Sequence, residues 1–246
     1  MNTKLVFPGF SSEAINFLQQ LQANNNRLWF KENKHIFKDL LEPAAHIFVE
    51  QMTQNLQEIA KEPMQGKIFR IYRDVRFSKN NTPYDPSLRI GFTRLNTKQA
   101  QCSDYPMFYF SLQPDKLILA CGLREFSKNG LIAYREAIID NQRGAKLEAL
   151  LNTYIKKNFK LDPPDLKNVP NGYDKNHPRE NLLRRKKLAI WSYFSSLDNI
   201  TTPNALKFCL EQYRIMQPIY EWLKILKSSL RSHEVAVAIQ SNKFLY

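Results

Sequence analysis

KIFRIYRDVRFSKNNTPYDPSLRIGFTR, residues 67 to 94, places arginines inside a strand pattern that leads into a tight polar loop. A strand sends successive side chains to opposite faces, so each register reads separately. The odd positions Phe69, Ile71, Arg73, Val75 and Phe77 are apolar apart from one guanidinium. The even positions Ile68, Arg70, Tyr72, Asp74, Arg76 and Ser78 put Asp74 on one face with Arg70 and Arg76. An arginine flanked on its own face by Ile71 and Val75 is costly to desolvate unless a carboxylate or an anion meets it. Either the strand bulges near Tyr72 and turns Arg73 to solvent, or the guanidinium reaches a partner.

The loop that follows, Lys79-Asn80-Asn81-Thr82-Pro83, is rich in turn formers. Such a loop can point several backbone N–H groups inward as an anion nest. With Arg70, Arg76, Lys79 and Arg89 near it, a phosphate or carboxylate would be well matched, arginine offering a bidentate fork. The competing reading is an ion-paired surface strand closed by a hairpin loop, because ion pairs of this kind are common and often structural.

Working outward, strand periodicity predicts four strands at 67–77, 87–94, 106–113 and 116–123. Gln113-Pro114-Asp115-Lys116 separates the last two as a hairpin turn, and the short connections favour an antiparallel meander. Leu117 to Leu123 is apolar in both registers, which predicts a strand covered on both sides with Cys121 as a buried thiol. A further strand is expected at Leu188 to Phe194.

Helical patterns surround these strands. Phe7-Pro8-Gly9-Phe10 is a turn with aromatic anchors, after which Ser11 or Ser12 caps a helix with Ile15, Leu18 and Leu21 on one stripe. One of Asn24, Asn25 and Asn26 caps the next, whose stripe reads Trp29, Asn33, Ile36, Phe37, Leu40 and Leu41. Asn33 stands where an apolar residue is the default, so it either bonds nearby backbone or lines a pocket beside Trp29. Pro43 opens or kinks a helix to about Ala60. Ser127 caps another, Arg143 to Lys157 forms the next, and Pro203 introduces a long amphipathic helix to about Leu230 in which Gln217-Pro218 marks a kink. Between about 160 and 180 the chain is proline-rich and reads as an ordered excursion over the surface. The pattern as a whole predicts α+β, a single domain over residues 1–246 with a mainly antiparallel sheet packed with N-terminal, middle and long C-terminal helices.

The 246 residues carry a net charge of +13, with the 43% hydrophobic content of an ordinary packed domain. Residues 124 to 246 hold 21 Lys and Arg against 12 acids, so the excess sits mostly in the second half. That excess favours anionic partners, a phosphorylated small molecule first and nucleic acid second, since no homeodomain, zinc-finger or RNP-type signature accompanies it. The basic tetrad Arg184-Arg185-Lys186-Lys187 reads as a solvated charged helix end, with phosphate binding as the functional alternative.

Cys102, Cys121 and Cys209 are odd in number and fall in no CxxC pair, which argues against a disulfide framework and against a zinc site. The histidines show no metal-ligand spacing, no cofactor motif is present, and the longest apolar run, Leu117 to Cys121, is far too short to span a bilayer. A cytoplasmic protein is expected. No nucleophile motif can be read as a reaction; Asp74 and His177 are the weak candidates for a general base, His177 as part of Asp174-Lys175-Asn176-His177-Pro178 and otherwise as a turn histidine.

FPGF at Phe7 to Phe10, NNRLWFKENK at Asn25 to Lys34, IYRDVRFSKNNTPY at Ile71 to Tyr84, YFSLQP at Tyr109 to Pro114, YREAI at Tyr134 to Ile138 and NGYDKNHP at Asn171 to Pro178 occur in this order. In these blocks the chain resembles a bacterial and fungal family known as domain of unknown function 2461. The resemblance implies a single α+β unit and no established activity. It also shows a departure: where the family tends to a run of glycines, an aromatic and a proline, this chain has Ala120-Cys121-Gly122-Leu123-Arg124-Glu125-Phe126. Glycines there could let a ligand approach the backbone, and Asp85 stands where the family often has a lysine.

Three functions are therefore expected in order. The first is binding of a phosphorylated or otherwise anionic small ligand, with Arg70, Arg73, Arg76 and Lys79 supplying charge, Asn80 to Thr82 a backbone cradle, and Trp29, Asn33 and Tyr84 the walls. The second is a hydrolase or transferase acting on such a ligand, and the third a nucleic-acid-associated or structural module.

Overall fold

Side-chain caps start the helices where the sequence places them. The computed structural model describes residues 6–74, 76, 81–95 and 105–242, beyond 226 for the backbone alone. Ser11 Oγ accepts from the Ala14 amide at 3.1 Å and opens α1, Ser12–Ala23. Asn26 Oδ1 accepts from the Trp29 amide at 3.0 Å and opens α2, Arg27–Ile36. A π-turn, Phe37–Leu41, then leads without a break into α3, Glu42–Ala60, with Pro43 in its first turn. Ser127 caps α4, Lys128–Ile139, and Asp140 caps α5, Asn141–Lys156, by accepting from both Gln142 and Arg143 amides. The short α6, Glu180–Leu183, and the long α7, Ala205–Asn242, complete the set; Pro218 lies inside α7.

The strands are β1 Met64–Ile68, β2 Leu88–Arg94, β3 Met107–Leu112, β4 Leu117–Leu123, β5 Lys160–Leu161 and β6 Leu188–Phe194. They hydrogen-bond in the order β1-β2-β3-β4-β6-β5, and the pairs β1/β2, β2/β3 and β5/β6 run antiparallel. The first four form the expected meander, with the Gln113 amide donating to Lys116 O at 2.9 Å in the hairpin between β3 and β4. All seven residues of β4 are buried, as its two apolar registers require. The expected first strand, 67–77, is corrected: pairing begins at Met64, and beyond Ile68 it continues among the described residues through the Phe69 amide to Arg89 O and an isolated bridge between Tyr72 and Tyr84. Val75, Phe77 and Ser78 of that reading lie outside the described residues, as does Cys102.

Gly122, with φ +150°, explains a close approach of two strands. A Cβ on it would stand 2.2 Å from Leu188 O and 2.5 Å from Ala189 Cα, so β6 lies against β4 at this point because the side chain is missing. The glycine in the departing segment thus receives the chain's own backbone. Gly9, φ +102°, does the same for the first turn: a Cβ would meet Thr201 C at 2.5 Å, and the neighbouring Phe10 amide donates to Ile200 O at 2.9 Å.

Contacts sort the chain into two compact units, the first Met1–Leu95, Phe108–Ala120 and Ser192–Ile215, the second Asn96–Met107, Cys121–Trp191 and Met216–Tyr246. In the first, Phe7, Phe10, Phe48, Phe92 and Phe110 form an aromatic core with ring centroids 4.8 to 6.4 Å apart. Each such ring, fully out of water, contributes about 2–3 kcal/mol. In the second, Tyr134 is fully buried, stacks on Phe126 at 4.6 Å, meets Trp222 edge-on at 6.2 Å, and donates its hydroxyl to Leu182 O.

Candidate functional site

Two clefts border α2 and the π-turn, one on each side of the same stretch of helix. Phe30, Lys34 and Phe37 recur at helical spacing and face the first, a cleft of about 460 Å³ whose other lining residues include Lys38, Glu42, His46, Arg70 and Tyr72. Trp29, Asn33, Ile36 and Leu40 face the second, of about 540 Å³. The π-turn re-aims the helix between them, so Lys38 joins the first cleft and Asp39 the second. Phe30 is the buried residue of α2, while Trp29 is half-buried. The expected stripe was therefore one residue out of phase at this helix, because tertiary packing on Tyr84 selects Phe30.

That packing is specific. Phe30 stacks on Tyr84 with centroids 4.1 Å apart, and Tyr72 closes the cluster at 5.8 Å from Phe30 and 5.3 Å from Tyr84. Asn25 uses its whole amide on one residue, Nδ2 donating to Tyr84 O at 3.0 Å and Oδ1 accepting from Tyr84 N at 3.1 Å. A side-chain amide here replaces a strand partner for Tyr84. Burial is the main cause of the raised pKa of its phenol.

The predicted arginines take separate roles. Arg70 is exposed and lines the first cleft together with Lys34, Lys38, His46, Ile68, Phe69 and Ile71. Arg73 is half-exposed; its amide donates to Pro83 O at 2.9 Å and its Nη1 to Thr82 Oγ1 at 2.6 Å, tying the two sides of the loop together. Its escape from a core position follows from the strand having ended at Ile68. Arg76 forms a two-pronged pair with Asp74, Nε–Oδ1 2.9 Å and Nη2–Oδ2 2.6 Å, both groups exposed. Its hydrogen bonds hold the Asp74 carboxyl below the usual aspartate range, so Asp74 is a poor proton acceptor at neutral pH. Asp85 pairs with Arg89 at 3.1 Å. Arg73, Arg76 and Thr82 are not among the residues lining the first cleft, and Lys79 and Asn80 lie outside the described residues.

Asn33 takes the structural option, Nδ2 donating to Trp29 O at 2.9 Å one turn back, and it also lines the second cleft beside Trp29. His177 sits in a tight turn: its Nδ1 accepts from the Arg179 amide at 3.0 Å, and Asp174 Oδ1 is occupied by the Asn176 amide at 2.9 Å. Cys121 and Cys209 are buried free thiols with pKa pushed up by desolvation, the environment of inert core cysteines.

The basic tetrad was expected as a solvated helix end, and its arginines are instead built into the fold. Arg185 is 5% exposed and donates to Asp162 O, Arg184 donates to Lys167 O at 2.9 Å, the Lys186 amide donates to Asp165 Oδ2 at 2.7 Å, and Lys187 lies 3.4 Å from Asp162. Together they clasp the proline-rich excursion. Arg179, 8% exposed, donates to Ile138 O at 2.8 Å and to Asp140 O at 3.4 Å, satisfying carbonyls at the end of α4.

Lys34, Lys38 and His46 were missed in the sequence. The signal was there for Lys34, which follows Phe30 by four residues and precedes Phe37 by three; Lys38 needed the π-turn and His46 the seating of α3.

The fold and these residues define an α+β protein built on a six-stranded antiparallel sheet, with a cationic, aromatic-walled cleft bordering its first strand. The model of the family described as conserved hypothetical protein (DUF2461) matches residues 13–222, and the chain belongs to that family. No curated protein matches the chain. The sequence blocks that carried the resemblance meet in pairs: Asn25 and Phe30 hold Tyr84, while the Arg135 guanidinium lies 5.9 Å from the Tyr173 ring centroid.

Proposed function

We propose that the protein binds a phosphorylated or otherwise anionic small ligand in the cleft between α2, the start of α3 and the Phe69–Tyr72 segment. The observation that carries this reading is the make-up of its wall. Arg70, Lys34, Lys38 and His46 line a space of about 460 Å³ whose one carboxylate among the described residues is Glu42, already paired with Lys38 at 2.7 Å. A volume of this size suits a small metabolite. Arg70 offers the fork that matches phosphate, Lys34 a point charge, and Phe37 and Tyr72 flat apolar surface for the rest of the molecule. The cytoplasm, where buried free thiols such as Cys121 and Cys209 persist, fits this reading.

Isothermal titration against a panel of nucleotides and sugar phosphates tests it. One class of site is expected, weakening as salt rises, with Arg70→Ala and Lys34→Ala each raising Kd by about tenfold. Silence across the panel, or undiminished binding in both variants, sinks the reading.

A further inference from the structure

The second cleft has the opposite chemistry. Glu13 from the first turn of α1 and Asp39 from the π-turn both line it, together with the Trp29 indole and the amides of Asn16, Gln20 and Asn33. The chain has 36 Lys and Arg, yet neither Glu13 nor Asp39 forms an ion pair among the described residues. Among the described residues no Lys or Arg lines the cleft and its one imidazole is the exposed His35, so the two carboxylates face about 540 Å³ of space with no permanent cation among the described wall residues. The indole packs on Phe17, which also lines the cleft, at a centroid distance of 5.7 Å and an interplanar angle of 31°.

From this juxtaposition of Trp29 with Glu13 and Asp39 we infer that the cleft is a second binding site, for a small organic ammonium cation. An aromatic face attracts such a cation through its quadrupole, and carboxylates beside it compensate the charge without needing to touch it. A bare metal ion is less well served, because among the described residues no three His, Cys, Asp or Glu side chains are grouped to ligate one. Neutral amides around the rim supply acceptors for N–H groups. This inference is independent of the anion reading, since the two clefts lie on different sides of α2 and share no lining residue among the described ones.

The test is isothermal titration of the full chain with choline and with putrescine, and with glucose as a neutral polar probe. Expected is saturable binding of at least one ammonium probe with Kd below about 1 mM, weakened about tenfold by Asp39→Asn and by Glu13→Gln. Glu50→Gln, which removes an exposed carboxylate elsewhere on α3, is expected to change nothing, and thermal melting of each variant separates lost binding from lost folding. The inference is overturned if neither ammonium probe binds, if glucose binds in their place, or if Glu50→Gln weakens binding as much as folded Asp39→Asn and Glu13→Gln do.

Discussion

Asn25 shows how one side chain can stand in for a strand. The segment around Tyr84 leaves the sheet after one bridge, and its amide and carbonyl both find partners on a single carboxamide. Asn25→Ala removes both bonds and leaves a buried residue's backbone unsatisfied, a loss expected at about 1–3 kcal/mol in urea unfolding. Asn25→Asp keeps the acceptor, loses the donor, and should fall between. A change below about 0.5 kcal/mol for the alanine variant would mean that water or a neighbour replaces the amide freely. At this scale the alternation in residues 67 to 77 misled, because period-two spacing shows which residues could share a face and is silent on whether the hydrogen-bonded partner strand is there. Arg73 looked like a buried charge and is a loop clasp on Thr82.

Among the elements, α5 is where a pH dependence is expected. Asp140 accepts from the Arg143 amide at 2.7 Å and the Gln142 amide at 3.1 Å; its bond to the Arg143 amide is the largest cause of a carboxyl pKa below the ordinary 3.8. A depressed folded-state pKa means that the stabilisation is complete above the unfolded-state value and is lost as the pH falls through the folded one. Asp140→Ala should therefore melt below the parent at pH 7, with the gap closing in acid below that range; a gap that does not narrow as the pH falls would assign the effect to something other than the charge. Helix starts were legible in the sequence because a cap is a local bond, three residues long, and Ser11, Asn26 and Ser127 all sit where their residue types demand. The phase of α2 was not, since Phe30 and Trp29 are equally apolar neighbours and the Tyr84 ring, more than fifty residues away, chooses between them.

For the molecule as a whole, the first compact unit is assembled from three separate stretches of chain. A fragment ending at Leu95 lacks β3, and with it Phe110, which packs at 4.8 Å from Phe48 and 5.8 Å from Phe10. Residues 1–95 alone are therefore expected to show poorly dispersed amide NMR signals and no cooperative thermal transition; a sharp transition in that fragment would show that α1 to β2 hold a core of their own. Among the described residues no helix is long and apolar enough to cross a membrane.

By itself the sequence determined the α+β class, the antiparallel meander apart from the bounds of its first strand, the fully covered β4 and the helix caps, because periodicity and capping are written in neighbouring residues. Tertiary structure decided where the charges went. Guanidinium groups from one short stretch were parted into a cleft wall at Arg70, a loop tie at Arg73 and a surface pair at Arg76, while Arg185 of the tetrad at 184–187 was drawn inward to hold a loop some twenty residues back. A charge pairs with whatever the fold brings within a few ångströms, and that distance is set by packing between segments far apart in the chain.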